Sequence, residues 1–278
     1  MNRKKTSYGK NLLGALLGVL AVIQLYPLVW LVFFSLKNNI DIYTGNIMGL
    51  PTKFLWSNYS KALIDSQVGL YFFNSCFVTL MTIIVSGAIS AMAAYAIERM
   101  HWKLSRLAMN VFLLGLMIPI HATLLPVFLI LKQLNLLNSY LAMILPYVGF
   151  ALPMAVLIIT NFLNGIPKEM EESAFLDGCS VWKAFLSIIF PLVVPAVATV
   201  SIFTYLSTWN ELMFAITFVN KQLFRTLTVG IMSMVGQHST EWGPIGAGLV
   251  IATAPTLIIY ILLSNQVQKS LVVGAVKG

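Results

Sequence analysis

Hydrophobic positions in this chain run in long blocks separated by short polar connections. Blocks near residues 12–35, 70–97, 107–131, 138–163, 185–210 and 244–264 are each long enough to cross a membrane. A helix needs about 20 apolar residues to span roughly 30 Å of hydrocarbon. A closed barrel would instead show many alternating strands of about 10 residues, and that pattern is absent. The blocks predict an all-α membrane protein of six spanning helices. On this reading, residues 1–11 are an N-terminal segment, 12–35 the first transmembrane helix and 37–69 a long connection with turn formers and aromatics (Pro51, Trp56, Tyr59). Residues 70–265 hold the five remaining helices, and 266–278 form a tail. The first block exceeds the roughly 7–15 apolar residues of a signal-peptide core, and no small-x-small cleavage site follows it. It reads as an uncleaved membrane helix.

Composition supports the membrane reading. The 278 residues are 59% hydrophobic and 9% charged, with mean hydropathy +0.87. Soluble domains carry about 25% charged residues. The net charge of +8 is explained by the tendency of basic residues to collect on cytoplasmic loops. Placing the N-terminus inside puts Arg3, Lys4, Lys5, Lys10, Arg99, Lys103, Arg106, Lys168, Lys183, Lys269 and Lys277 in the cytoplasm. Lys37, Lys53, Lys61, Lys132, Lys221 and Arg225 then lie outside, and both termini are cytoplasmic. No basic block exists beyond Arg3-Lys4-Lys5, so nucleic-acid binding is not expected. Cys76 and Cys179 fall at different depths and read as two free thiols. His101, His121 and His238 are too scattered for a metal site.

A polar island at 171–191 interrupts the apolar pattern. Charged residues cost about 2.5–3.5 kcal/mol each at a membrane centre, so Glu169, Glu171, Glu172, Asp177 and Lys183 must lie outside the bilayer. Pro167 suits the first turn of a helix, and the three glutamates then sit where the helix dipole favours negative charge. Gly178 follows as a left-handed terminator beside Asp177. Ser180 can cap a second helix through Trp182, Phe185 and Ile188 to Pro191. The pattern predicts a helix–turn–helix elbow at 167–180 and beyond, on the cytoplasmic face between the fourth and fifth spans. Its apolar face, Ala174 and Phe175, needs a partner to cover it.

The spacing Glu172-Ser173-Ala174-x(3)-Gly178-x(9)-Ile188-x-Phe190-Pro191 resembles the E-A-A-x(3)-G-x(9)-I-x-L-P signature of ABC importer permeases. Ser173 replaces an alanine and Phe190 a leucine. Trp209-Asn210-Glu211 resembles the W-N-E/D segment of sugar-importer permeases of the maltose type. Pro119-x(6)-Pro126, Leu134-Asn135-Leu136-Leu137-Asn138 with Ser139-Tyr140, and the ending Gly274-Ala275-Val276-Lys277-Gly278 are similar to the smaller permease subunit of that family. The resemblance implies the six-helix type I importer transmembrane domain, with the elbow as the helix that couples to the ATPases. The coupling residues are then Glu171, Glu172, Ser173, Ala174, Asp177, Gly178, Ile188 and Pro191. It further implies a second homologous permease, two ATPase subunits and an extracytoplasmic solute-binding protein in a prokaryotic cell membrane. ATP and Mg belong to the ATPase subunits, and this chain binds no cofactor. The implied cargo is a sugar, with an oligosaccharide the first expectation. Glycerol-phosphate importers resemble the chain nearly as well.

Other features carry two readings each. Trp209 lies roughly 31 Å beyond Ile188 at about 1.5 Å per helical residue, near the outer interface. It is there either as an anchor with Asn210 and Glu211 capping structure, or as part of a gate or delivery-protein contact. His121, between Pro119 and Pro126, either makes an interhelical hydrogen bond or faces substrate. Pro119, Pro126, Pro146 and Pro153 either shape the bundle or bend a wall around a cavity open to both sides. Small residues around Ser86-Gly87-Ala88, Ser90, Ala91, Ala93 and Ala94, and around Gly246-Ala247-Gly248, Ala252 and Ala254, suit close helix packing, here assigned to the permease dimer.

Missing motifs narrow the function. The only Gly-Lys pair is Gly9-Lys10, with Lys4 where a phosphate-binding loop needs glycine, so ATP hydrolysis by that route is excluded. No H-E-x-x-H or G-x-S-x-G motif and no paired intramembrane carboxylates occur, which leaves an embedded enzyme or proton-coupled carrier without its chemistry. A carrier that needs no ATP and a non-transporting membrane protein remain as rivals to the importer.

Overall fold

The computed structural model describes residues 3–100, 102–236 and 240–275. His101, His238 and Val276-Lys277-Gly278 therefore lie outside the described residues. All regular structure among these residues is helical. Five helical spans are long and apolar enough to cross a membrane: Lys10–Ser35, Val68–Arg99, Leu141–Leu163, Val181–Trp209 and Trp242–Leu262. A sixth is a broken pair, Ser105–Met117 and Ile120–Gln133, bent by 96°.

The chain divides into two compact units. The first comprises residues 1–69 and 230–255. It contains α1 (Arg3–Ser35), α2 (Asn39–Tyr43) and α3 (Ser57–Ser60), which runs on into a π-helical turn at Lys61–Asp65. Buried side chains organise its connection. Asp41 accepts hydrogen bonds from the Thr52 hydroxyl (2.8 Å) and amide, and Asn58 donates to the carbonyls of Ser35 and Lys37 (2.9 Å each). The Lys37 amine donates to the Asn46 and Ile47 carbonyls. Burial pushes that amine below its ordinary pKa, with Asp41 opposing the shift. The 37–69 segment is thus a folded cap with its own polar interior rather than a loose loop.

The second unit comprises residues 70–229 and 256–278. It takes in α4 (Val68–Arg99, from Leu70 on), α5 (Ser105–Met117), α6 (Leu124–Gln133), α7 (Leu141–Leu163), α8 (Glu169–Leu176), α9 (Val181–Ala184), α10 (Phe190–Trp209) and α11 (Met213–Phe218). α12 (Leu227–Met232) and α13 (Trp242–Ala275) each have residues in both units.

In the first unit, Asn39 on α2 accepts from the Trp242 amide at the start of α13, and Lys61 forms an exposed ion pair with Glu241 at 3.0 Å. A Cβ on Gly246 would lie 2.9 Å from the Ser35 Cα, so glycine there lets α13 approach α1. The second unit is built around α7, whose buried residues serve two apolar clusters. One gathers Met143, Tyr147 and Val148 with Phe214 and Phe218, and the other Ala155, Ile159 and Leu163 with Tyr95, Phe185 and Val193.

Two expectations change at this level. Part of the small-residue faces packs inside the chain, while Ala88 and Ala254 stay exposed. Ser86, Ser90, Ala91 and Ala94 are buried, a Cβ on Gly87 would touch Val197 at 3.6 Å, and Gly246 abuts α1. The third span is broken, whereas α7 keeps both Pro146 and Pro153 in a continuous helix. The break falls at Ile118, which takes an extended conformation (φ −78, ψ 119) ahead of Pro119, as the proline ring disfavours a helical predecessor. Within residues 224–235 only Leu227–Met232 is α-helical, and Leu227 and Val229 are buried. Its approach is pinned to α4, where Asn74 donates to the Leu223 and Arg225 carbonyls and Ser75 accepts from the Leu227 amide.

Candidate functional site: an elbow and a cavity

The elbow forms as its residues dictate. α8 begins two residues after Pro167 with Glu169, Glu171 and Glu172 in its first turn. It ends on Gly178 at φ +80, where the Cys179 amide reaches back to the Ala174 carbonyl (2.9 Å) and the Gly178 amide to Phe175 (3.0 Å). These two bonds make a Schellman cap, and its left-handed residue favours glycine. A Cβ on Gly178 would meet nothing within 4 Å, so glycine is required by backbone conformation alone. Ser180 then caps the next helix, accepting from the Lys183 amide at 3.3 Å.

The second arm is not a separate surface helix, as expected from sequence. α9, a π-helical turn at Phe185–Ile189 and α10 form one 29-residue span, Val181–Trp209. Pro191 lacks an amide to close the helical ladder, and the wider π turn just before it is a usual accommodation. Gly178 therefore joins a short helix directly to a spanning helix.

One face of α8 is fastened to its own bundle. Arg99, at the end of α4, pairs with Glu171 at 3.2 Å, with both side chains almost fully buried. The same guanidinium donates to the carbonyls of Leu163 (2.8 Å), the last residue of α7, and Ile166 (2.6 Å) just beyond it. Tyr95 lies beside Glu171 and packs on Phe185 with ring centroids 5.2 Å apart. Ala174 is buried on this inner face, so it is not part of the uncovered surface expected for it. The opposite face is open. Leu176 is 89% exposed, Trp182 60%, and Met170, Phe175 and Val181 are also exposed. Glu172, Ser173 and Asp177 border this face, while Ile188 is half-buried and Pro191 exposed on the span beyond.

A cavity of about 220 Å³, open on one side, lies between α7 and α10, with Ile120, Glu211 and Phe214 also in its lining. Glu211 is its charged residue and is held firmly. Its carboxylate accepts from the Tyr147 hydroxyl (2.5 Å) and from the amides of Phe214 (2.8 Å) and Ala215 (3.1 Å), capping α11. Its carbonyl accepts from the Thr228 hydroxyl at 2.9 Å. Asn210 and His121, the other residues that could face a gate or substrate, stand apart from the cavity lining. The Asn210 amide donates to the Leu206 carbonyl, and His121 sits exposed in a 3-10 turn, its ring 6.4 Å from that of Phe214. Trp209 is buried against Phe72 and Tyr205 instead of anchoring at a lipid interface. Tyr147 and Arg99 were missed in the sequence. Arg99 was counted as an ordinary loop cation, and Tyr147 carries no local signal within an apolar run.

Helices long and apolar enough to span a membrane, a cavity between α7 and α10, and a short capped helix fixed to α4 and α7 are features that suit a membrane transport component. The chain belongs to the family of binding-protein-dependent transport system inner membrane components, whose profile matches residues 83–273. It is 35% identical to the probable ABC transporter permease YurM of Bacillus subtilis, over 99% of this chain and 91% of that one. It is 32% identical to the trehalose/maltose transport system permease MalG of Thermococcus litoralis over 96% of each. The sulfoquinovosyl glycerol permease SmoH of Agrobacterium fabrum is 33% identical over 97% of this chain and 95% of its own. Among solved structures, a chain of a bacterial ABC transporter that imports the acidic polysaccharide alginate superimposes with TM-score 0.83 at 21% identity, covering 95% of this chain and 98% of that one. The chain is thus a multi-pass permease subunit of the cytoplasmic membrane and not itself an enzyme. Family membership implies ATPase and solute-binding partners.

Proposed function

We propose that this chain carries a sugar across the membrane by alternating access, paired with a second, homologous permease and coupled through α8 to two ATPase subunits. The cargo class is inferred from the relatives, whose names include trehalose, maltose and sulfoquinovosyl glycerol. ATP and Mg are bound by the ATPases. The distribution of basic residues supports a cytoplasmic position for both termini and the elbow.

The observation that carries this reading is the two-faced elbow. Its inner face is locked to α4 and α7 through Arg99 and Glu171, and its outer face is an uncovered apolar patch rimmed by acids. A helix seated on an ATPase by Phe175, Leu176 and Trp182 would pass a push directly into the bundle, because no flexible segment intervenes on the inner side. Rocking of α4, α7 and α10 then switches the cavity between the two sides.

Leu176→Asp tests the seat. This side chain is 89% exposed, so the variant is expected to reach the membrane at normal levels. The ATPase subunits should no longer co-purify with it, and saccharide uptake should stop. Retention of the ATPases together with wild-type uptake would remove the elbow from the coupling route.

A further inference from the structure

The cavity between α7 and α10 has walls of two chemistries. Tyr147, Phe150 and Phe214 give it aromatic surfaces, and Thr204, Ser207 and Thr208 form a hydroxyl stripe along one face of α10. Hydroxyls in a helix commonly bond the carbonyl four residues back. On α10, Thr199, Ser201 and Ser207 do so, to Pro195, Val197 and Phe203. Thr204 and Thr208 do not. Among the described residues neither hydroxyl has a partner, although the two residues are only 5% and 9% exposed. Neither oxygen is among the fully buried polar atoms that lack a partner, so both hydroxyls can be reached from the cavity, where a ligand or water can bond them. Glu211 supplies a fixed acceptor at the same place. Its Oε2 is occupied by the Tyr147 hydroxyl and Ala215 amide, while Oε1 takes a single bond from Phe214. A carboxylate oxygen has two acceptor directions, so Oε1 keeps one for a ligand.

We propose that this cavity is a saccharide subsite that receives one neutral sugar ring of the cargo. The apolar C–H face of the ring lies against the aromatic wall, and its hydroxyls meet Thr204, Thr208 and Oε1 of Glu211. The size suits a single ring, since pockets for larger drug-sized ligands run to about 300–1,000 Å³. The charge sets the sign of the specificity. Glu211 is the only charged side chain in the lining, so a uronate, sulfonate or phosphate would meet a like charge and no counter-ion. The proposal rests on the sugar-import reading above and adds what this chain itself recognises.

The test is uptake by cells carrying the complete transporter. Radiolabelled maltose, trehalose and cellobiose are compared with an oligouronate and glycerol 3-phosphate, with immunoblots reporting the amount of permease in the membrane. A neutral sugar is expected to enter, and Thr204→Val with Thr208→Val is expected to lower that uptake about tenfold or more, as for the loss of one or two hydrogen bonds. Thr204→Ser with Thr208→Ser keeps the hydroxyls and should retain most uptake, which separates lost bonding from lost packing if the valine variant inserts poorly. Thr199→Val, whose hydroxyl is already bonded within the helix, should transport at the wild-type rate. Equal uptake by the valine and serine pairs would overturn the subsite while leaving sugar import intact. Preference for the oligouronate or glycerol 3-phosphate would overturn the neutral specificity. Entry of none of the sugars would remove the reading on which the proposal stands.

Discussion

At the scale of single residues, Glu211 illustrates how a carboxylate is retained in an apolar bundle. Three donors surround it, two of them backbone amides at the start of α11, so charge and helix dipole meet. Tyr147→Phe removes one of those donors and leaves the amides in place. It is expected to lower stability by about 1 kcal/mol, the typical net worth of a hydrogen bond, read as a modest fall in the melting temperature of purified protein. Glu211→Ala should cost more, since it uncaps α11 and strands the buried Tyr147 hydroxyl. The sequence made Glu211 and Gly178 legible because each has a local signature: an acid after a tryptophan, and a glycine after a short acidic helix. Tyr147 had none. Its role depends on a residue more than sixty positions away, and no spacing rule connects them.

At the scale of elements, the join between α4, α7 and α8 decides what the elbow can do. Arg99 binds an acid on α8 and two carbonyls at and just beyond the end of α7 with one guanidinium, a geometry that a lysine point charge would not reproduce. Removing one partner of a buried pair typically costs about 3–5 kcal/mol, because the other charge is left uncompensated. Glu171→Gln is therefore expected to raise protease sensitivity at residues 164–180 before the spans themselves unfold, as limited proteolysis would show. Unchanged protection would mean that the ion pair does not hold α8. The existence of the elbow was readable from Pro167, the glutamates, Gly178 and Ser180. Which face it buries was not, because Ala174 looks like surface in a short amphipathic helix and Arg99 looks like any cation after a span. The broken third span was half readable. Pro119 announced a kink, but a bend of 96° is more than one proline in a sequence specifies.

At the scale of the whole molecule, hydropathy alone indicated the class of fold, since apolar blocks of this length leave few alternatives in lipid. It could not show that the 37–69 connection is a folded cap with Asp41, Lys37 and Asn58 inside, because buried polar residues resemble exposed ones in sequence. Nor could it show which of the small residues, such as Ser86, Ser90, Ala91 and Ala94, are buried within the chain. The proposed coupling is mechanical, with α8 passing the ATPase stroke on as a rigid arm that ends at Gly178. It is tested most directly by the ratio of sugar imported to ATP hydrolysed in proteoliposomes of the complete transporter with Gly178→Val. At φ +80 a β-branched residue is strained although space is open around it, so the elbow must change its angle while the spans stay intact. The account predicts an inserted complex that still hydrolyses ATP and imports at least tenfold less sugar per ATP. An unchanged ratio in an assembled complex would contradict it.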